Sequence, residues 1–326
     1  MIVPDYWAQA RRQHRASGRQ VTVRRYGWSL LSAADAQAHA ETRAEDALRR
    51  ILAGEKLHRS EPKMAYNGAD GVPIREEVLA RHGEQVITRN AYGAHCLNSP
   101  NTLFADIDFQ HDCPARASLL AFAVLALAAA AAGLWCQRWG VFFGLLLPAL
   151  LLASPLAHGL MRLVVAARGG AEHLARQRLL GFMANHPAWG VRLYRTPAGY
   201  RLLVTHQPFD AGAAEVQRFF AAVAADPIYT RMCLNQRCFR ARLTAKPWRI
   251  GIAAHMRPRP GVWPVHPQRM ATRQAWITHY ENRAAAFAAC RYLETLGSAV
   301  VHAAVQPVLE LHDRASRAHQ TDLALA

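Results

Sequence analysis

Two aspartates stand two residues apart in an otherwise apolar segment, Leu103-Phe-Ala-Asp-Ile-Asp-Phe109. In a strand, alternate residues share a face, so Asp106 and Asp108 point the same way. Such a pair suits a hard divalent cation such as Mg²⁺, which is commonly held by one or two carboxylates plus phosphate oxygens. Two such ions can clamp an in-line phosphoryl displacement. The structural alternative is a pair that caps a helix or meets arginines, because an unpaired carboxylate pair in an apolar strand is costly. Further on, Tyr194-Arg-Thr-Pro-Ala-Gly-Tyr-Arg201 reads as a hairpin turn. Arg195, Thr196 and Arg201 can offer donors to phosphate there, and arginine is shaped for bidentate contact. His206 closes the following strand. The plain alternative for these phosphate or nucleotide candidates is a solvated surface hairpin.

The elements that must position these groups follow from pattern. Leu103–Phe109, Val191–Arg195, Tyr200–Thr205 and Cys238–Leu243 read as strands. Residues 171–185 and 213–225 read as helices, the first broken at Pro187 and the second with apolar Val216, Phe219, Phe220 and Val223 on one face. The order β, α, β, β, α, β is the ferredoxin-like or RRM-like α+β arrangement. It puts the four strands in one antiparallel sheet, with the Asp106 strand beside Tyr200–Thr205 in the centre. A fold of this kind hosts many functions.

The segments "LFADIDF" and "YRTPAGYRLLVTH" together resemble the first two motifs of the archaeo-eukaryotic primase (primase-polymerase) superfamily. The resemblance runs over residues 103–243. It implies an RRM-like core, Asp106 and Asp108 as metal ligands, and a second motif that contacts nucleotide phosphate. The chain departs from the family in three ways. Arg201 stands where the family's histidine would fall, and His206 lies further along. No third acidic residue is found on a strand: Asp210 and Asp226 read as loop or helix-boundary residues. An apolar hairpin separates the first motif from the second.

That hairpin consists of two long apolar runs, Ala117–Cys136 and Val141–Met161, with no formal charge in either. About twenty apolar residues span a bilayer core of roughly 30 Å as a helix, the form that satisfies its own backbone in lipid. The chain is therefore expected to cross a lipid bilayer twice. A buried helical pair in a soluble protein is the alternative. Arg116 precedes the first run, and Arg162, Arg168, Arg176 and Arg178 follow the second, against Arg138 alone in the turn. This bias places both outer ends on the cytosolic side of a bacterial-type inner membrane. No apolar leader opens the chain. Trp135 and Trp139 flank the turn, and Pro148, Pro155 and His158 lie in the second run, with His158 near the cytosolic interface.

Lys and Arg number 39 against 23 Asp and Glu, a formal net charge of +16. Such a surface suits anionic lipid, nucleotides or nucleic acid, but the excess is spread along the chain and not gathered in a tract. Of six cysteines, Cys113 with His111, and Cys233 with Cys238, offer a zinc set of unfamiliar spacing; buried, unligated thiols are the commoner use. Ser32 is expected to cap a helix over Ala33–Leu52 with Leu48, Ile51 and Leu52 as its apolar stripe, and residues 20–28 to be extended. Asn67-Gly and Asp70-Gly signal turns. Beyond residue 250, a proline-rich stretch leads to expected helices over Arg269–Leu296 and Val300–Leu311 and a frayed end from Arg314. The division is thus a small helical module (1–70), an α+β domain (71–114 and 168–250), a transmembrane hairpin (115–167) and a C-terminal region (251–326). Three functions compete: a membrane-anchored binding or scaffold protein, a Mg²⁺-dependent nucleotide-binding or nucleotidyl-transfer domain, and transport, for which two helices provide no evident polar path. Reporter fusions at Met1 and at Ala326 should both read cytosolic; a periplasmic signal from either end contradicts the hairpin orientation.

Overall fold

The computed structural model describes residues 1–16, 18–61, 72–109, 114–259 and 263–326. The Asn67 and Asp70 turns, His111 and Cys113 lie outside the described residues. The chain opens with an antiparallel ribbon of β1 (Tyr6–Ala16) and β2 (Arg19–Ser29), in register from Tyr6 opposite Ser29 to Ala16 opposite Arg19. α1 (Ala33–Leu52) lies on it. The Ser32 hydroxyl accepts from the Asp35 amide, as a helix N-cap should. The buried stripe of α1 is Ala36, Ala40, Ala44 and Ala47, whereas Leu52 is exposed. Small side chains let the helix settle on the ribbon at Gly27, where an added Cβ would run into the Ala40 amide and the Ala36 carbonyl. The module is therefore a ribbon carrying one helix, not helices alone, and its contact is alanine on glycine.

Two four-stranded antiparallel sheets make the centre. The first is ordered β3 (Glu77–His82), β4 (Gln85–Arg89), β5 (His95–Ser99) and β9 (Phe239–Arg242). The second is ordered β11 (Arg291–Gly297), β7 (Gly190–Arg195), β8 (Gly199–Val204) and β6 (Phe104–Asp108). α4 (Gly170–Asn185), α5 (Ala214–Val223) and α6 (Pro227–Gln236) pack with them. One core joins Leu103, Ile107, Leu193, Leu202, Phe219, Phe239 and Leu179. The β6–β8 register sets Asp106 opposite Arg201 and Asp108 opposite Gly199.

The expected single sheet is not formed. Three of its strands pair as read, but Phe239–Arg242 is laddered to β5 and not to β6. β6 and β9 still approach one another. Side chains and a helix start stand between them in place of a main-chain ladder. The Tyr229 phenol donates to Phe104 O (3.0 Å) and accepts from Arg240 N (3.2 Å). Arg201 Nη1 donates to Arg242 O (2.7 Å), and the Asp226 amide to Asp106 O (2.9 Å). These bonds satisfy edge groups that a sheet would otherwise pair.

α2 (Ala115–Trp135) and α3 (Trp139–Ala167) form the expected hairpin and are long and apolar enough to cross a membrane. Only 11% and 17% of their most apolar windows are buried, which is unlike a core helix. They meet through Ala129 and Gly133 of α2 and Ala149, Ala153 and Ala157 of α3, small residues that permit close approach. The C-terminal region departs from its reading. α7 (Met270–Ala284) stops well before Leu296, and Arg291–Gly297 becomes the strand that borders β7. α8 (Gln306–Ser316) starts later than expected. The end is not frayed: β12 (Ala324–Leu325) pairs with β10 (Phe287–Ala288), and Ala326 is buried. Gly27→Ala should lower the melting temperature of the full chain, with a loss toward the upper end of about 1–3 kcal/mol because backbone has to shift; unchanged melting contradicts this packing.

Candidate functional site

Where β6 and β9 splay apart, a cavity of about 340 Å³ opens. β6 contributes Asp106 and Asp108, the β7–β8 turn contributes Thr196 and Ala198, and β8 contributes Arg201. β9 and the short helical turn after it (Pro247–Ile250) face them with Arg240, Arg242, Lys246 and Arg249. Asp226 and Tyr229 close one side from the start of α6, and Tyr92 lies on the other.

The first pair of expected ligands divides in role. Asp106 is gripped by its cross-strand neighbour: Arg201 Nε donates to Oδ1 (2.8 Å) and Nη2 to Oδ2 (3.1 Å). Arg201 is 1% exposed, so the pair lies at the cavity floor. Burial opposes the guanidinium's charge, but the Asp106 carboxylate outweighs it and holds the pKa above the ordinary value. Both oxygens of Asp106 thus belong to a bidentate ion pair. Asp108 is exposed and has no ion-pair partner among the described residues. Its pKa is raised by partial desolvation and by the charges of Asp106 and Asp226.

The other candidates scatter. Thr196 lines the cavity, where its hydroxyl accepts from Gly199 N (3.1 Å) and shapes the turn. Arg195 points away, to Glu172 (2.7 Å), with its guanidinium 4.7 Å from the Phe109 ring. His206 sits beyond the far end of β8, accepting from Gly190 N (3.3 Å) among Trp189 and Phe209; burial lowers its pKa. Cys233 and Cys238 are core residues whose thiols burial pushes up, that of Cys238 to about 12. Among the described residues no three His, Cys, Asp or Glu side chains converge as a metal site would require.

Sequence reasoning left out most of the basic wall. Lys246 and Arg249 have no acidic ion-pair partner among the described residues, although both feel Asp108. Burial, then the nearby Arg242 and Arg249, lowers the Lys246 pKa. Arg240 is 4% exposed and pairs with buried Glu76 (2.6 Å), which also accepts from Thr88 (2.6 Å). Its Nη1 is closed off from solvent and has no hydrogen-bond partner of ordinary geometry among the described residues. Asp226 was read as a helix boundary, and it is one: its carboxylate caps α6 at Ile228 N (2.9 Å), before Pro227 at the first helical position. The Asp-Pro pair signals that cap but not its place in the cavity.

A second constellation has the residue order of a nucleophilic relay. Cys290 Sγ lies 3.8 Å from His312 Nε2, and His312 Nδ1 lies 3.0 Å from Asp313. Cys290 and His312 are 0% exposed, and Asp313 is held by Tyr194 (2.7 Å) and Arg192 (2.8 Å). The cluster is a buried polar brace between α8 and β7, sealed from substrate.

Comparison with family models, curated proteins and solved structures finds no match to this chain. The site therefore rests on its own geometry. Asp106→Ala should cost about 3 kcal/mol, because it strands the buried Arg201 charge. Asp108→Asn should do the opposite. A carboxyl with a raised pKa costs stability above that pKa, so the variant should melt slightly higher than the parent at neutral pH. The gain should vanish below the ordinary carboxylate range, where both forms are neutral. Melting curves of both variants across pH check the contrast.

Proposed function

We propose that this chain is a membrane-anchored binding protein whose cytosolic α+β domain takes a phosphate-bearing small ligand in the cavity between β6 and β9. The observation that carries the reading is the set Arg240, Arg242, Lys246 and Arg249 on one wall, where Lys246 and Arg249 have no acidic ion-pair partner among the described residues. Arginine and lysine donors gathered in a partly desolvated cleft are the ordinary means of holding phosphate. α2 and α3 support the anchor. The arginines that follow α3 and precede α2 support a cytosolic domain and termini, in a bacterial-type inner membrane. A ferredoxin-like arrangement is supported by the β6–β8–β7 order with β9 beyond β6, the cavity replacing the outer ladder between the first and fourth strands.

A nucleotide is one such ligand, and the primase-polymerase resemblance points to it. Nucleotidyl transfer is the weaker form of the reading. Its first metal ligand, Asp106, has both oxygens on Arg201, so a cation binding there would compete with the guanidinium's charge. Asp108 and Asp226 remain as carboxylates for Mg²⁺ with a nucleotide phosphate. Binding without chemistry accords better with this arrangement.

Calorimetric titration of the detergent-solubilised chain with inorganic pyrophosphate and with a nucleoside triphosphate should show saturable binding. Lys246→Ala with Arg249→Ala should weaken it by about tenfold or more. Affinity should fall as pH rises through the lowered Lys246 pKa, earlier than for an ordinary lysine, because only the ammonium holds phosphate. Equal heats for parent and double variant refute the reading.

A further inference from the structure

The cavity carries two kinds of charge that do not neutralise each other. Asp108 and Asp226 have no cationic partner in hydrogen-bonded contact among the described residues, and Lys246 and Arg249 have no anionic one. The four groups are near enough to perturb one another, since Asp108 is raised by Asp226 and lowered by Lys246 and Arg249. A ligand of one sign would leave the opposite wall desolvated and unpaired, which is costly. A metal ion alone would find at most two carboxylates on the acidic wall, because no three ligand side chains converge there among the described residues. A zwitterion with a phosphate at one end and an ammonium at the other satisfies both walls. Arg240 also lines the cavity, but it is 4% exposed and engaged by Glu76, so it adds positive charge to the basic wall and not a free donor.

The cavity also stands close to the membrane entry. Asp108 ends β6, and α2 begins at Ala115, so the wall and the first membrane helix are no further apart than a fully extended chain of that length, roughly 25 Å. From the other side, Glu172 in the first turn of α4, just after α3, accepts from the Tyr200 hydroxyl (2.7 Å) and pairs with Arg195. Both membrane connections therefore attach at the sheet end that carries Asp108, Gly199 and Tyr200. In the turn that follows Lys246 and carries Arg249, Trp248 exposes its indole (56%), with Lys246 Nζ 5.5 Å from the ring. An exposed tryptophan flanked by cations suits a headgroup region.

We propose that the cavity takes the phosphoethanolamine headgroup of a bilayer lipid, with its phosphate on Lys246 and Arg249 and its ammonium on Asp108 and Asp226. This rests on the reading that the cavity binds a phosphate-bearing ligand, and it names the class and source of that ligand. The two walls set selectivity. The basic wall accepts any phosphate, whereas the acidic wall prefers a primary ammonium, which donates hydrogen bonds, to a quaternary one, which has none to donate.

The test titrates the full chain in detergent with short-chain phosphatidylethanolamine, phosphatidylcholine and phosphatidic acid, and with soluble phosphoethanolamine, nucleoside triphosphate and inorganic phosphate. The phosphatidylethanolamine should bind at least about tenfold more tightly than the other two lipids and than soluble phosphoethanolamine. Asp108→Asn with Asp226→Asn should erase the preference over phosphatidic acid; asparagine still caps α6, so the fold is kept. Lys246→Ala with Arg249→Ala should weaken all phosphate probes together. Equal binding of the amine-free lipid, or a preference that survives the asparagine variant, overturns the headgroup assignment. Equal binding of soluble phosphoethanolamine overturns the bilayer source. Binding of triphosphate or inorganic phosphate without lipid binding overturns this inference and leaves the phosphate reading standing. If no probe binds, both fall.

Discussion

The site depends on one break in pairing: β6 and β9 lie side by side without a main-chain ladder. Sheet edges carry unsatisfied amides and carbonyls, and buried ones must find partners. Here a phenol, a guanidinium and a helix-start amide serve that purpose. Tyr229 bridges Phe104 O and Arg240 N, Arg201 reaches Arg242 O, and the Asp226 amide reaches Asp106 O. Arg201 can span the gap only because Asp106, across the strand, holds its guanidinium in place through two bonds. The same ion pair thus fixes the splay and forms the floor of the cavity that the splay creates.

This explains why charges of both signs coexist there. Asp106 and Arg201 compensate each other, as do Glu76 and Arg240 through one nitrogen. Desolvation of two charges is repaid only when geometry is good and further hydrogen bonds complete the shell. Thr88, the Arg242 carbonyl and the Tyr229 network complete it here. What remains is Asp108 on one wall, beside the Asp226 carboxylate that caps α6, and Lys246 and Arg249 on the other.

Much of the local structure was legible in the sequence. The apolar runs became α2 and α3, and the alternation of Val191–Arg195 and Tyr200–Thr205 became the β7–β8 hairpin. Ser32 caps α1 as read. The misses have physical causes. β3, β4 and β5 carry polar residues where a core strand usually carries apolar ones. Thr88 of β4 and Asn98 of β5 belong to a buried polar network with Glu76, so the hydrophobic alternation was absent. Alanine-rich sequence around residues 284–289 extended the helical pattern past the end of α7 and hid β11. The aspartate pair was found by spacing. That Arg201 would hold one of its members, and that Lys246 and Arg249 would face the other, depended on register and tertiary placement. No local pattern encodes that.

Asp106 and Arg201 form one structural unit and are not a ligand and a phosphate clamp acting separately. A double-mutant cycle measures this directly, using thermal stability of Asp106→Ala, Arg201→Met and the combined variant in detergent. If the pair acts as a unit, the combined variant should be no less stable than the worse single variant, because no buried charge is left without its partner. Losses that simply add would show that the two residues stabilise the protein independently and are not one unit.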